Sequence, residues 1–136
     1  MSVIYVAASK ALGEWAEEVG LTKHVYKLGV TEGTAKDAVQ ALNDREAAGQ
    51  ADWTLLAKDD AETDEAAAYE RLALKEKPVA PAHYPKLREE AGVFKVKVVN
   101  VENHMLVKYA LEGGDPKRVK MKPKDIGLYL IRNALA

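Results

Sequence analysis

The chain has 136 residues, 48% hydrophobic and 30% charged, which predicts one globular domain and excludes a disordered tail. No apolar run approaches the roughly 20 residues of a spanning helix, and the N-terminus has no basic and apolar regions of a secretory signal. There is no cysteine, which removes disulfides, thiolate metal sites and cysteine nucleophiles together. A cytoplasmic address without a membrane partner is the expectation. The net charge of −1 hides an asymmetry: residues 1–85 hold 9 Lys and Arg against 15 Asp and Glu, and residues 86–136 hold 11 against 6. Such a split fits a nucleic-acid face, self-association of opposite ends, or a merely solvated surface.

Val3 to Ala7 is β-branched and aromatic and reads as a buried strand. Ser9 then caps a helix with Leu12, Trp15, Ala16 and Val19 at helical spacing, and Gly20 supplies a left-handed stop. His24 to Val30 is a second strand, with Gly29 letting another chain segment approach. Thr34-Ala35-Lys36-Asp37 fits a capping box, opening a helix with Ala35, Ala38, Val39 and Leu42 on one face and Gly49 at its end. Asp52 to Lys58 is the third strand, centred on Trp53, Leu55 and Leu56. The first three strands are expected in one sheet, with Leu12, Trp15, Val39, Leu42 and Leu55 in the core.

A third helix is predicted from Thr63 through Tyr69 and Leu72 to Lys77, with Asp64 and Glu65 favoured at its positive end. Pro78, Pro81 and Pro85 make 78–85 the only linker-like stretch. Beyond it come a short helix from Lys86 to Ala91 ended by Gly92, an alternating half-exposed strand from Phe94 to Val98, and a helix capped by Asn100. That helix carries Val101, Met105, Leu106 and Tyr109 and closes at Gly113-Gly114. Arg118 to Lys122 alternates again, and Lys124 to Leu135 forms a last helix facing inward with Ile126, Tyr129, Leu130 and Ala134. The order predicts an α/β (α+β) fold. A small, mainly three-stranded sheet is flanked by helices, with residues 1–77 as core and 86–136 as a basic helical and β-arm extension of the same domain.

The chemistry-bearing clusters are few. His24, His83 and His104 are scattered without metal-ligand spacing, and Glu102 and His104 point to different faces of one helix. Ser9 has no nucleophile-elbow sequence, and capping accounts for it. Asp59-Asp60, Glu62 and Asp64-Glu65 read as a solvated turn and helix start, with Mg²⁺ binding as the other reading. Lys117, Arg118, Lys120, Lys122 and Lys124 place five cations in eight residues. On an edge strand Arg118, Lys120 and Lys122 share a face that either follows a phosphate backbone or protects the edge from aggregation.

Val3-Ile4-Tyr5, then Tyr26-Lys27-Leu28-Gly29-Val30-Thr31, a helix with Val39 and Leu42, and Trp53-Thr54-Leu55-Leu56 together resemble the GIY-YIG nuclease superfamily. The likeness covers about residues 3–57, with an echo in Val101 to Leu106, and is nearest the branch whose second motif reads Tyr-Lys-Ile-Gly. It implies a three-stranded sheet with flanking helices and Mg²⁺-dependent phosphodiester cleavage. A motif tyrosine stands near the attacking water, an arginine meets the phosphate and a glutamate holds the metal. Carried over, Tyr5 is the first motif tyrosine and Gly29 the motif glycine. Lys27 stands where the second tyrosine is usual, with Tyr26 one place before it on the opposite strand face. The arginine's place falls around Lys36-Asp37-Ala38-Val39, where either Lys36 substitutes without the planar fork or the function is absent, and Glu102, or alternatively Glu70, is the metal ligand. The expectation from these residues is a degenerate, non-catalytic domain associated with nucleic acid. The alternatives are an active Mg²⁺-dependent endonuclease, and a structural protein that self-associates or binds a protein partner.

Overall fold

Successive side chains of the opening run bury in opposite directions. Ile4 and Val6 enter one apolar cluster, Tyr5 and Ala7 a second, and all four are buried. A strand that is apolar on both faces must lie mid-sheet between two helical layers. The computed structural model, which describes residues 2–79, 84, 90–111, 113 and 122–135, has that architecture. Its strands are β1 (Ser2–Ser9), β2 (Val25–Thr31), β3 (Trp53–Ala61), β4 (Lys77–Pro78) and β5 (Val93–Lys95). They form one antiparallel sheet in the order β3-β1-β2-β5-β4. The three expected strands are therefore neighbours with β1 in the middle, and the sheet is widened to five by two short strands that the sequence reading left out of it.

Helices α1 (Lys10–Glu18) and α2 (Ala35–Asp44) cover one face, burying Leu12, Ala16, Ala35, Val39 and Leu42. Helices α3 (Glu65–Leu72), α4 (Val98–Leu111) and α5 (Pro123–Leu135) cover the other through Ala68, Leu72, Val101, Ile126 and Leu130. Local chemistry sets several of these ends. The Ser9 hydroxyl accepts from Leu12 N at 3.1 Å, that of Thr34 from Asp37 N at 3.1 Å, and the Asp64 carboxylate from Ala67 N at 2.7 Å. Each satisfies an N–H that the first helical turn leaves unpaired.

Tertiary contacts override the sequence expectation elsewhere. Helix α2 stops at Asp44, not at Gly49. The Asn43 amide exchanges two hydrogen bonds with the Trp53 backbone, and the Trp53 indole N–H donates to Ala47 O at 3.0 Å. The chain between them turns through left-handed Glu46 and Ala48. Strand β3 runs on through Asp59-Asp60, expected in a turn, because these residues pair with Ile4 and Val3 of β1. Leu55, expected in the core, is 37% exposed, while Trp53 is buried on the α1–α2 side. A register shift between Val6 and Ala7 lets two β3 residues oppose one β1 step, so Ala57 and Ala61 face the α3–α5 side instead. An extra residue in one strand inverts the faces that follow it.

Helix α3 ends at Leu72, short of Lys77, and the chain enters β4, where Pro78 lies on the sheet edge and needs no second partner. Strand β5 is not half-exposed: Val93 and Phe94 bury on opposite faces. Its expected end, Val98, begins α4, so Asn100 lies in that helix's first turn and is not its cap. Glu76, buried in its place, accepts from Lys97 N at 3.0 Å and from the Asn100 amide. Trp15 is half-buried, edge-on to Tyr84 with ring centroids 5.7 Å apart. Helix α5 buries Ile126, Tyr129, Leu130 and Ala134 as expected. Pro81, His83, Pro85, most of the Lys86–Ala91 helix and all but the last residue of the Arg118–Lys122 strand lie outside the described residues.

Candidate functional site

Strand β5 begins at Val93, so β2 loses its outer partner after Lys27. Leu28 N still donates to Gly92 O at 2.8 Å; beyond it, Leu28 O and Val30 N stand at a notch where unpaired backbone groups are costly. Helix α3 fills the gap. The Tyr69 hydroxyl donates to Leu28 O at 3.0 Å, and Glu65 Oε2 accepts from Val30 N at 3.0 Å. The i, i+4 spacing of Glu65 and Tyr69 brings both to one helix face. Gly92, at φ +81°, has no room for a Cβ, which would lie 2.7 Å from Leu28 O.

On the α1–α2 side of this notch, Tyr5 pairs across the ladder with Gly29. Its ring lies on the glycine so closely that an added Cβ would meet Tyr5 Cε1 at 2.8 Å and overlap the phenol oxygen. Gly29→Ala is therefore expected to destabilise by about 1–3 kcal/mol, the range for overpacking a filled site. The loss should be much smaller in a Tyr5→Leu background. Urea unfolding of the two single variants and the double variant measures this coupling.

Lys27 is buried beside Tyr5. Its ammonium reaches Glu90 Oε1 at 3.2 Å, Ala91 O at 2.5 Å and the Tyr69 hydroxyl at 3.0 Å, which uses all three of its donors. Arg45, the residue at the end of α2, forks onto the same carboxylate, with Nη1 at 2.6 Å and Nη2 at 2.9 Å from the two Glu90 oxygens. Burial lowers the Lys27 pKa against the opposing pull of Glu90 and Glu65. Burial also raises Glu90, but its bond to Arg45 and the charge of Lys27 outweigh that and hold its carboxyl below the usual range. Burial, with Glu65 nearby, pushes the Tyr5 phenol up to about 12 and raises Tyr69 further. At neutral pH both tyrosines are protonated and can donate or orient.

Tyr5, Lys27 and Gly29 thus meet in one place. Tyr26 lies on the other sheet face, its hydroxyl 3.1 Å from His24 Nδ1. Lys36 is exposed in the first turn of α2, about 13 Å along the helix axis from Arg45 by the helical rise. Glu70 and Glu102 are exposed on α3 and α4, the helices that cover the face opposite Tyr5. Lys122 and Lys124 are exposed at the start of α5, and Lys117, Arg118 and Lys120 lie outside the described residues. Comparisons with protein-family models, curated proteins and solved structures all return no match.

Arg45, Tyr69 and Glu90 escaped the sequence reading as site residues, and Glu65 stands in it only as a helix-start carboxylate, with Mg²⁺ binding as the other reading. Arg45 and Glu90 are 45 residues apart, and Lys27 and Tyr69 are 42 apart, so no local spacing announces them. Glu65 and Tyr69 carried one signal, their shared helix face. Among the described residues, no three His, Asp or Glu side chains are grouped to hold a metal ion. Glu65 also spends one oxygen on Val30 N–H. Ser9 is equally committed, accepting from Leu12 N and bonded to Asp52.

Proposed function

We propose that this chain is a degenerate GIY-YIG-like domain that associates with nucleic acid and does not cleave it. The observation that supports it most is the pairing of Tyr5 with Gly29, which sets the phenol of the first motif on the glycine of the second, with β1 between β2 and β3. Support for the lack of cleavage comes from how nearby groups are used. Glu90 pairs with both Lys27 and Arg45, Glu65 and Tyr69 complete the β2 edge, Glu70 and Glu102 lie on the helices of the opposite sheet face, and Lys36 is exposed in the first turn of α2. Contact with nucleic acid falls to Lys117, Arg118, Lys120, Lys122 and Lys124, whose attraction to phosphates is sequence-independent and releases counterions.

The test is a titration of labelled single- and double-stranded DNA and RNA at two salt concentrations, with and without Mg²⁺. Binding is expected to weaken steeply with salt, with the nucleic acid left intact. Replacing Arg118, Lys120 and Lys122 together by Ser should weaken it across all sequences and reduce the salt slope by up to about 3. No binding by the wild type at low salt would remove the nucleic-acid role. Mg²⁺-dependent cleavage abolished by Tyr5→Phe would replace the non-catalytic reading with an endonuclease.

A further inference from the structure

We propose that the Glu90 carboxylate occupies an oxyanion subsite built by Arg45 and Lys27, and so competes from within the chain against phosphate for those two cations. A guanidinium fork holds both oxygens of Glu90, at 2.6 and 2.9 Å, and an ammonium takes one of them at 3.2 Å. Arginine binds two phosphate oxygens through the same fork, with charge-assisted bonds of the same length. The three side chains are graded in exposure: Lys27 4%, Glu90 11% and Arg45 53%. The fork is thus at the solvent side, where a phosphate group arrives, and the ammonium lies behind it. Among the described residues the Tyr5 hydroxyl has no hydrogen-bond partner, and it feels the charges of Arg45, Glu90 and Glu65. It is thus a neutral donor, not engaged by any described residue, within reach of the subsite's charges.

The carboxylate is favoured over a dilute anion because the chain holds it in place at an effective concentration in the millimolar range or higher. With Lys27 and Arg45 set against Glu65 and Glu90, the cluster is neutral as it stands. Neutralising Glu90 leaves one net positive charge and an open fork. The choice of phosphate as ligand rests on the nucleic-acid reading above. The subsite itself does not, and inorganic phosphate tests it without any nucleic acid.

Isothermal titration of inorganic phosphate into the wild type, Glu90→Gln, and Glu90→Gln with Arg45→Ala decides it, with folding of each followed by circular dichroism. Glu90→Gln is expected to bind phosphate at least tenfold more tightly than the wild type, and adding Arg45→Ala should abolish that gain. A folded Glu90→Gln that binds no more tightly, or a gain that survives Arg45→Ala, overturns the proposal. If Glu90→Gln does not fold, nitrogen-15 spectra of the arginine side chains in the wild type decide. Saturable movement of the Arg45 Nε–H resonance on raising phosphate to tens of millimolar upholds the subsite, and an unmoved resonance overturns it. Phosphate binding without nucleic-acid binding leaves this subsite standing while the proposed function falls.

Discussion

Replacing Glu90 by Ala is expected to cost about 3–5 kcal/mol of folding stability, the range for breaking a buried ion pair from one side. The loss strands the Lys27 ammonium, which is 4% exposed and keeps only the Ala91 carbonyl and the Tyr69 hydroxyl as partners. Lys27→Met should cost only on the order of 1 kcal/mol, since Glu90 retains the Arg45 fork and the lost contacts are replaced by apolar packing. Urea midpoints of the two variants measure the asymmetry. Equal losses would show that the pair acts as packing and not as compensated charge. The same carboxylate gives an acid-side dependence. Its folded pKa lies below the ordinary 4.5, so its contribution is fully present above that value and is lost as pH falls through the folded pKa. Wild-type stability should decline in that window, and Glu90→Gln should flatten the decline.

Phe94→Ala is the other change with a large expected effect, about 3–5 kcal/mol. Phe94 is 1% exposed in a strand of three residues, so a single aromatic anchors much of β5. Its ring lies 5.9 Å from that of Tyr69, and the cavity left behind would loosen the tyrosine that completes β2. Thermal unfolding should show a fall in Tm of about 10 °C or more for a chain of this length. Leu111→Ala, at a side chain 84% exposed on α4, should move Tm by no more than a degree or two. A mild effect at Phe94 would mean that β5 is held mainly by its ladder hydrogen bonds to β2 and β4.

The wider lesson concerns range. Ser9 and Thr34 are legible as caps because each hydroxyl bonds an amide three residues on, Leu12 and Asp37. Gly20 is legible as a stop because the left-handed backbone it adopts costs other residues more. Periodicity likewise identifies the inward faces of α1, α2 and α5, the three early strands, and hence the α/β class. These are features of the amino-acid sequence by itself, since every interaction that sets them spans a turn or two.

The corrections all come from contacts between distant segments. Leu55 stands opposite Ala7 on the edge strand β3 and is left 37% exposed, and Asp59-Asp60 is drawn into a strand by pairing with β1. Asn100 lies inside α4, its side-chain amide drawn to buried Glu76, 24 residues away. The site follows the same rule. Tyr5 and Gly29 could be picked out as motif residues, but their meeting depends on the register of two strands separated by a helix. Arg45, Glu90 and Tyr69 join Lys27 only because the sheet opens after β5 and its unpaired backbone and buried charge require partners there. Local propensity writes the elements into the chain, whereas pairing register and the compensation of buried polar groups are properties of the assembled sheet, and they alone decided which side chains share the site.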